Sequence, residues 1–305
     1  MSKDASQNAP KGRATPMSGD SSGSEVTTPR LVTTIADMRQ ARRRLVGSVG
    51  LVSTMGFLHE GHLSLVRRAR SENDAVVVSI FVNPTQFEPT EDLQTYPRDL
   101  DRDMALLAAE HVDIVFAPTV AEMYQPDSST FVVVEGLADT LEGAHHPGHF
   151  RGLATVVAKL FNIVDPSRAY FGQKDAQQAV LIRRMVADLD FNLEVVVVPT
   201  VRESDGLACS TRNIFLSAEE RTAATVLHRA LETARLKWEG GERSGIALRQ
   251  AVRDVVEAEP LATLEYVSVA DPEALEELET LDRPALASLA VRIGRTRLID
   301  NVLLE

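Results

Sequence analysis

Two histidines three residues apart carry the strongest chemical indication in this sequence. His59 and His62 lie between a short apolar run at 49–53 and a pattern from Leu63 onward that predicts a helix with one buried face. A helix that starts after a strand and a glycine-containing turn presents free backbone N–H groups and the positive end of its dipole. Two imidazoles on its first turn can stabilise charge that develops on a phosphoryl oxygen. The stretch therefore predicts a phosphate-binding loop.

Other interpretations of the histidine pair stay open at this point. The spacing also fits two histidines with purely structural roles. It does not fit the zinc proteases, whose paired histidines stand four residues apart on a helix. A second group, formed by His145, His146 and His149, keeps a metal site as an alternative.

The composition is that of an acidic globular protein. Of the 305 residues, 44% are hydrophobic and 25% are charged, which suits one large domain or two of ordinary size. The formal net charge of −12 argues against nucleic acid as a partner. Cys209 is the only cysteine, so no intrachain disulfide can form, and this suits a reducing cytoplasm. No apolar run approaches the ~18 residues that a membrane span needs, so we expect no membrane partner and a cytoplasmic location.

The order of strand and helix patterns predicts an α/β fold. From Leu31 to Val198, β-branched runs alternate with helical patterns, which indicates a Rossmann-like parallel sheet with helices on both faces at residues 30–201. In residues 202–305 helical patterns come first and short strand patterns follow, which predicts a smaller C-terminal α+β domain. Residues 1–29 are rich in Ser, Gly, Pro, Lys and Asp and predict a disordered N-terminal tail.

Several local predictions are specific enough to be tested. The pattern predicts a short strand at 131–134, a helix at 155–164 and one long helix at 218–238. The acidic stretch at 271–282 indicates a solvated helix face and loop rather than a binding site.

Four polar stretches follow predicted strands or begin the helices after them. They are residues 83–87, 172–175, 177–178 and 202–213. Each alone is weak, because an Asn-Pro turn or a single lysine is usually structural. In a parallel sheet, however, the carboxyl ends of the strands lie at one edge, and ligands bind there near the topological switch point. We therefore expect the four stretches to converge on one cleft.

The stretches together resemble one known family. Thr-Met-Gly-x-Leu-His-x-Gly-His-Leu-Ser-Leu-Val, Ser-Ile-Phe-Val-Asn-Pro-x-Gln-Phe, Tyr-Pro-Arg, Phe-Gly-x-Lys-Asp-x-Gln-Gln and Asp-Gly-Leu-Ala-x-Ser-x-Arg-Asn occur here in the order of the pantothenate synthetase (pantoate–β-alanine ligase) family, within the His-x-Gly-His nucleotidyltransferases. The similarity runs from about residue 31 to the C-terminus. It implies a ligase that joins pantoate to β-alanine through a pantoyl-adenylate, splitting ATP to AMP and pyrophosphate. It also implies a cytoplasmic homodimer that uses Mg2+.

The resemblance assigns roles to particular positions. It implies His62, His59 and Lys174 as catalytic residues and Gln86, Gln178 and Asn83 as the holders of pantoate or β-alanine. The positions implied for ATP are Met55, Gly56, Phe57, Leu58, His59, Glu60, Gly61, His62, Gly172, Gln173, Lys174, Asp175, Val201, Cys209, Ser210, Thr211 and Arg212. Neutral glutamine amides suit the substrate carboxylate, because a guanidinium would hold it as a tight ion pair and lower its nucleophilicity.

Some positions depart from the family pattern. Arg102 interrupts the acidic pair seen in some members, so Asp103 is the one implied metal ligand. Phe57 replaces a small residue and is expected to narrow the ATP loop. Ser53, Gln173 and Cys209 stand for a more usual Pro, an acidic residue and Met. For Cys209, a buried apolar role and a thiolate favoured by nearby Arg212 both stay open.

Two other functions compete with the ligase. One is a related nucleotidyltransferase that releases a dinucleotide, or a tRNA-charging relative. The acidic charge and the lack of a candidate anticodon-binding module weigh against tRNA. The other is a non-catalytic nucleotide-binding protein, against which the intact His59, His62, Lys174, Ser210 and Arg212 argue.

Overall fold

A six-stranded parallel sheet forms the first part of the chain. The computed structural model describes residues 28–87 and 96–305, so nearly all of the predicted tail at 1–29 lies outside the described residues. The strands are β1 (Arg30–Val32), β2 (Val49–Thr54), β3 (Ala75–Ile80), β4 (Ile114–Phe116), β5 (Arg168–Gly172) and β6 (Glu194–Val198). Their spatial order is β1-β4-β3-β2-β5-β6, and every pairing is parallel.

This order places the topological switch point between β2 and β5. From β2 the chain moves outward through β3 and β4, whereas from β5 it moves to the opposite edge with β6. The loops after β2 and β5 therefore leave the sheet side by side at its carboxyl edge, where ligands of such sheets bind.

Helices cover both faces of the sheet, as the sequence predicted. The helices are α1 (Ile35–Arg42), α2 (Glu60–Glu72), α3 (Leu100–Ala109), α4 (Val120–Met123), α5 (Glu142–His145), α6 (His149–Val164) and α7 (Ala176–Asp188). Alternate strand residues enter different cores, because successive side chains of a strand point to opposite faces. Leu51 packs in the core with Leu153 of α6, whereas Val52 packs in the core with Val66 of α2.

A three-stranded antiparallel sheet with helices on it forms the C-terminal part. The elements are α8 (Ala218–Ala223), α9 (Val226–Glu239), α10 (Gly245–Glu257), β7 (Ala262–Ala270), β8 (Ala285–Ile293) and β9 (Thr296–Leu304). The strands are ordered β7-β8-β9 as a meander. Residues of α9, α10 and the sheet, including Leu231, Val252 and Leu289, share one hydrophobic core.

Four local predictions differ from the structure. Residues 131–134 form no strand, because they pair with no strand in the described part of the chain. Helix α6 begins at His149 instead of 155, after Gly148 adopts the left-handed φ of +88°. The acidic stretch at 271–282 contains turns and isolated bridges but no helix.

The fourth difference is that the predicted long helix at 218–238 is interrupted near Thr225. The Thr225 N–H and its hydroxyl both donate to the Thr222 carbonyl, at 3.3 and 2.8 Å. This local bonding tightens the backbone and ends α8 before α9 begins, because threonine hydroxyls compete with helical hydrogen bonds. In the described ranges, no helix combines the length and the apolar character needed to cross a bilayer.

Candidate active site

The loop between β2 and α2 is held by α3. Gly56 and Phe57 both adopt left-handed backbone conformations, with φ of +83° and +52°. The Asp103 carboxylate accepts the backbone N–H of Phe57 at 2.7 Å and that of Leu58 at 2.8 Å. Arg102 donates to the Leu58 carbonyl at 2.8 Å and lies over the Phe57 ring. These contacts stabilise a turn that a non-glycine residue rarely adopts.

This arrangement corrects two expectations from the sequence. Asp103 is 1% exposed and both of its carboxylate oxygens accept loop N–H groups, so it does not face the cavity as a metal ligand would. Two of the loop N–H groups are correspondingly used by Asp103 rather than aimed at a phosphate. Phe57 does not narrow the cavity, because its ring lies against Arg102 outside the cavity lining.

His59 and His62 contact each other at the start of α2. Their ring centroids are 4.0 Å apart, and the His59 backbone N–H donates to His62 Nδ1 at 3.3 Å. Since Nδ1 accepts this bond, the proton of neutral His62 is assigned to Nε2, which is then a donor. A Cβ at Gly61 would come within 3.0 Å of the His59 ring, so the position between the histidines favours glycine.

Both imidazoles are held neutral at pH 7. Burial, followed by the neighbouring His59 and Lys174, lowers the pKa of His62 to about 3. Burial and then Lys174 lower the pKa of His59 to about 4. His59 Nδ1 is buried without a hydrogen-bond partner among the described residues. The pair therefore supplies neutral hydrogen-bonding groups beside a cationic lysine.

Lys174 reaches the same place from the end of β5. It lies in a short 3-10 turn, Gln173–Asp175, between β5 and α7, and its side chain is 18% exposed. Its Nζ is 3.8 Å from Asp175 Oδ1. The preceding residue, Gln173, instead donates through Nε2 to Asn301 of β9 at 3.0 Å and does not line the cavity.

The glutamine amides that the resemblance implies for the substrate come from two separated segments. Gln86 lines the cavity, and Asn83 Nδ2 donates to its side-chain oxygen at 2.9 Å. Asn83 is 1% exposed and is itself held by Tyr124, so it orients Gln86 and does not reach the cavity. Gln178 lines the cavity from α7. Its neighbour Gln177 also borders the cavity, but its amide nitrogen already donates to the Leu137 and Thr140 carbonyls.

The loop at 209–212 closes the cavity on a further side. The Cys209 N–H donates to the Val201 carbonyl at 2.9 Å, and Ser210 Oγ accepts the Arg212 N–H at 3.2 Å. Burial, then Glu203 and Glu60, raises the pKa of the Cys209 thiol. Of the two alternatives for Cys209, this environment favours the protonated thiol over the thiolate. Thr211 hydrogen-bonds Tyr96, which belongs to the Tyr-Pro-Arg stretch.

These segments enclose one cavity of about 470 Å3. Fourteen predicted site residues line it: Met55, His59, Gly61, His62, Gln86, Gly172, Lys174, Asp175, Gln178, Val201, Cys209, Ser210, Thr211 and Arg212. Seven do not: Gly56, Phe57, Leu58, Glu60, Asn83, Asp103 and Gln173. Gly56, Phe57 and Leu58 shape the loop, while Glu60 pairs with Arg67 on the surface of α2.

Sequence reasoning missed several residues that line this cavity. Tyr96 and Phe87 pack edge to face at 5.9 Å on one wall. His149 Nδ1 lies 2.9 Å from the Gln86 carbonyl, and burial lowers its pKa. Tyr96 belongs to the Tyr-Pro-Arg motif and His149 to the second histidine group. Neither motif indicated in the sequence that its residues line this cavity.

The second histidine group is not a metal site. His145 does not line the cavity but stacks on Tyr266, which does, with ring centroids 5.7 Å apart, while His146 and His149 line the cavity. Among residues 28–87 and 96–305, no cluster of three or more His, Cys, Asp or Glu side chains is arranged to hold a metal ion. The described residues therefore offer no site that holds a metal ion by protein side chains alone.

Comparisons with known proteins agree with one another. The family model described as pantoate-beta-alanine ligase matches residues 30–303. Pantothenate synthetase from Roseiflexus sp. (strain RS-1) is 64% identical over 90% of this chain and 99% of its own length, and that of Moorella thermoacetica is 54% identical over 90% and 98%.

Solved structures give the same result. Pantothenate synthetase from Thermus thermophilus superposes with a TM-score of 0.86 and 51% identity, covering 90% of this chain and 98% of that one. A pantoate-beta-alanine ligase from Francisella tularensis, complexed with beta-gamma ATP and beta-alanine, has a TM-score of 0.74 and 35% identity, covering 90% and 97%.

Proposed function

The chain belongs to the pantoate–β-alanine ligase family, and from this we propose how its cavity carries out the ligation. The reaction joins pantoate to β-alanine to give pantothenate, using ATP and releasing AMP and pyrophosphate. The assignment of residues rests on one observation: four stretches that are far apart in the sequence line one cavity. They supply neutral imidazoles, a lysine, two glutamine amides and a Ser-Thr-Arg loop.

In the first step the pantoate carboxylate attacks the α-phosphorus of ATP. A bond forms between the carboxylate oxygen and phosphorus, and pyrophosphate leaves with the electron pair of the broken P–O bond. His62 donates through Nε2–H and Lys174 supplies positive charge where negative charge grows on the phosphate oxygens. Donors that are already positioned stabilise such charge without reorganisation.

Gln86 and Gln178 hold the pantoate carboxylate for this attack. Asn83 fixes the side-chain oxygen of Gln86, which leaves the Gln86 NH2 group to donate to the substrate. Because both holders are neutral, the carboxylate keeps its nucleophilicity while its orientation is set.

In the second step the amine of β-alanine attacks the carbonyl carbon of the pantoyl-adenylate. The carbon–nitrogen bond forms, the acyl–oxygen bond to phosphate breaks, and AMP leaves. Activation by nucleotide fits this cavity because no hydrogen bond joins Cys209 or Ser210 to His59 or His62 in the described part of the chain, as a serine or cysteine nucleophile would need.

Pantoate-dependent exchange between ATP and pyrophosphate tests the first step. We expect exchange without β-alanine, and transfer of an isotopically labelled pantoate carboxyl oxygen into AMP during turnover. AMP that stays unlabelled after many turnovers would refute the adenylate route.

Substitution of Gln86 tests the substrate assignment separately. We expect Gln86→Ala to raise the KM for pantoate about tenfold or more, because a hydrogen bond to a charged group contributes about 1.5–3 kcal/mol. Gln177→Ala is the matched control, because the Gln177 amide is used by backbone carbonyls of the protein, and it should change the KM for pantoate much less. Equal effects of the two variants would reject the assignment.

The predicted homodimer is part of this proposal. Phe131 and Val133 are 41% and 54% exposed, and they alternate with Val132 and Val134, which pack inward. An unpaired segment with an apolar outer side suits pairing with a second copy. Light scattering should give a dimer mass, and Val133→Lys should shift it toward the monomer.

Three further predictions also stay proposals. Mg2+ is expected to arrive with the phosphates of ATP rather than on a protein site, since the described side chains do not form one. A cytoplasmic location is expected for this biosynthetic activity. The boundary at residues 201/202 is supported by two large hydrophobic cores, one formed by residues up to Val198 and one by residues from Leu207 onward, while a small cluster of Ala176, Val180, Leu275 and Leu286 joins the two parts.

A further inference from the structure

The turn that carries Lys174 is bound by one asparagine of the C-terminal sheet. Asn301 of β9 donates through Nδ2 to the carbonyls of Gln173 and Lys174, both at 2.9 Å. Its Oδ1 accepts the Gln173 side-chain amide at 3.0 Å. Asn301 is 4% exposed, so these three bonds are shielded from water.

The turn needs these donors because of where it lies. Helix α7 begins at Ala176, so the carbonyls of Gln173 and Lys174 precede its regular hydrogen-bond ladder. A buried carbonyl without a partner costs about 1–3 kcal/mol. Asn301 pairs both carbonyls, which fixes the peptide units on either side of the Lys174 Cα and thus the origin of its side chain.

Asn301 is itself held firmly in place. It pairs with Ser288 in the β8–β9 register, and its backbone N–H donates to Asp300 Oδ1 at 2.8 Å. The Asp300 carboxylate is 1% exposed and forms a bidentate pair with Arg202, at 2.6 and 3.0 Å. Arg202 starts the segment that leads to Cys209 and Arg212, and a bridge joins it to Ala208.

We propose that Asn301 is a positioning residue that sets Lys174 against the phosphates of ATP. Together Asp300 and Asn301 fix two walls of the cavity from one strand: the lysine turn directly, and the loop at 209–212 through Arg202. The C-terminal sheet thus contributes to the adenylation step by placing a cation, in addition to covering the cavity. This inference rests on the role proposed above for Lys174.

A double-mutant cycle with Lys174 tests the inference. Asn301→Ala should lower the rate of pantoate-dependent ATP–pyrophosphate exchange about 10- to 100-fold, with a change of less than about threefold in the KM for pantoate. In a Lys174→Ala background the same substitution should lower the rate by less than about threefold, because residues that act through one group are non-additive. A purely structural role would give the same factor in both backgrounds and would overturn the proposal.

Two further variants keep the test decisive. Asn301→Asp preserves the shape and the acceptor but replaces the donors by an anion facing two carbonyls, so it should lose at least as much rate as the alanine variant. Asn73→Ala removes a buried asparagine with two donor contacts, to Ala69 and Tyr170, near the opposite end of the strands. It should lower the melting temperature without lowering the exchange rate more than about threefold.

The outcomes separate this inference from the proposed function. If Lys174→Ala exchanges like the parent, the phosphate role of the lysine fails, and the inference fails with it. If Lys174→Ala loses exchange while folded Asn301→Ala and Asn301→Asp keep it, only the positioning role of Asn301 is wrong.

Discussion

Two connections from a strand to the next helix border the cavity, and we call them crossings. They are held in opposite ways. The crossing from β2 to α2 presents two neutral imidazoles, and it is held from within the parallel sheet by Arg102 and Asp103 of α3. The crossing from β5 to α7 presents one lysine, and it is held by Asn301 of the other sheet. The first crossing is fixed by two charged side chains, which contact the backbone of left-handed Phe57 and of Leu58. The second is fixed by a neutral amide, which contacts the backbone of a short turn.

The difference shows that position at a switch point does not by itself arrange a phosphate site. Both crossings leave adjacent strands at the same edge of the sheet. Each nevertheless needs a separate side chain to form hydrogen bonds with its backbone N–H or carbonyl groups. The Asp103 carboxylate takes two N–H groups, whereas the Asn301 amide supplies donors to two carbonyls. Each holder thus matches the unpaired backbone groups of its own loop.

The largest effect is expected at the histidine crossing itself. His62→Ala should lower the exchange rate about 100- to 1000-fold, since loss of one positioned donor costs about 2.7–4 kcal/mol in the transition state. The KM for pantoate should stay within about threefold. His145→Ala, which changes a histidine outside the cavity lining, is the control. A His62→Ala enzyme within a few-fold of the parent would show that the imidazole does not meet the phosphates.

A smaller effect is expected at the support of that crossing. Asp103→Asn replaces one acceptor by an NH2 group facing a loop N–H, so the left-handed turn at Phe57 loses a partner. We expect the KM for ATP to rise about tenfold and the melting temperature to fall. The Mg2+ concentration for half-maximal rate should not change, and Asp101→Asn on the exposed side of α3 is the control. A raised Mg2+ requirement in Asp103→Asn alone would restore the metal-ligand prediction.

The histidine crossing should also make stability depend on pH. The pKa values of His59 and His62 are lowered in the fold to about 4 and about 3, against 6.5 in an unfolded chain. Below pH 6.5 the unfolded state therefore binds more protons than the native state, so the free energy of unfolding falls as pH falls toward 4. His62→Gln should flatten the decline of melting temperature between pH 6.5 and 4.5. A substitution of exposed His111 is the control and should leave the slope of melting temperature against pH unchanged. The same unchanged slope in His62→Gln would contradict the prediction.

The smallest effect is expected at Cys209, which contacts the histidine crossing at Gly61 and lines the cavity. Its thiol pKa is raised, and its sulfur is hydrogen-bonded by the Gly61 backbone. Alkylation at pH 7 should therefore be slower than that of an exposed free thiol, and ATP should slow it further by filling the cavity. Cys209→Met should keep the rate within about twofold. Rapid modification at neutral pH would show a more acidic thiol than this environment gives.

Much of the parallel sheet could be predicted because its strands are continuous β-branched runs. The run at 75–82 and the short strand before the histidines both match strands in the structure. The spatial order of the strands could not be predicted, since pairing depends on contacts far apart in the chain. Residues 131–134 show the limit of local pattern: they alternate inward and outward as a strand does, but no described strand lies beside them.

The site was predictable where chemistry resides in contiguous residues. The histidine loop, the lysine turn and the loop at 209–212 line one cavity, as expected from their place after strands. The groups that hold them were not predictable. The sequence implies Asp103 as a metal ligand, because a carboxylate in a sequence does not show whether it faces a cation or two backbone N–H groups. Asn301 is one of several polar residues in β9, and nothing in the local sequence distinguishes it from its neighbour Asp300 as the holder of a distant turn.

The bonds from Asn301 to the lysine turn tie activity to the order of synthesis. Asn301 follows Lys174 by 127 residues. At the usual ~5–20 residues per second, a ribosome adds that length in about 6 to 25 s. During that interval the parallel sheet can already form around its own cores, but the lysine turn still lacks its donors. The nascent chain thus lacks the hydrogen bonds from Asn301 until β9 has been made and has folded, and under the proposed role of Asn301 an incompletely synthesised copy would consume ATP below the full rate.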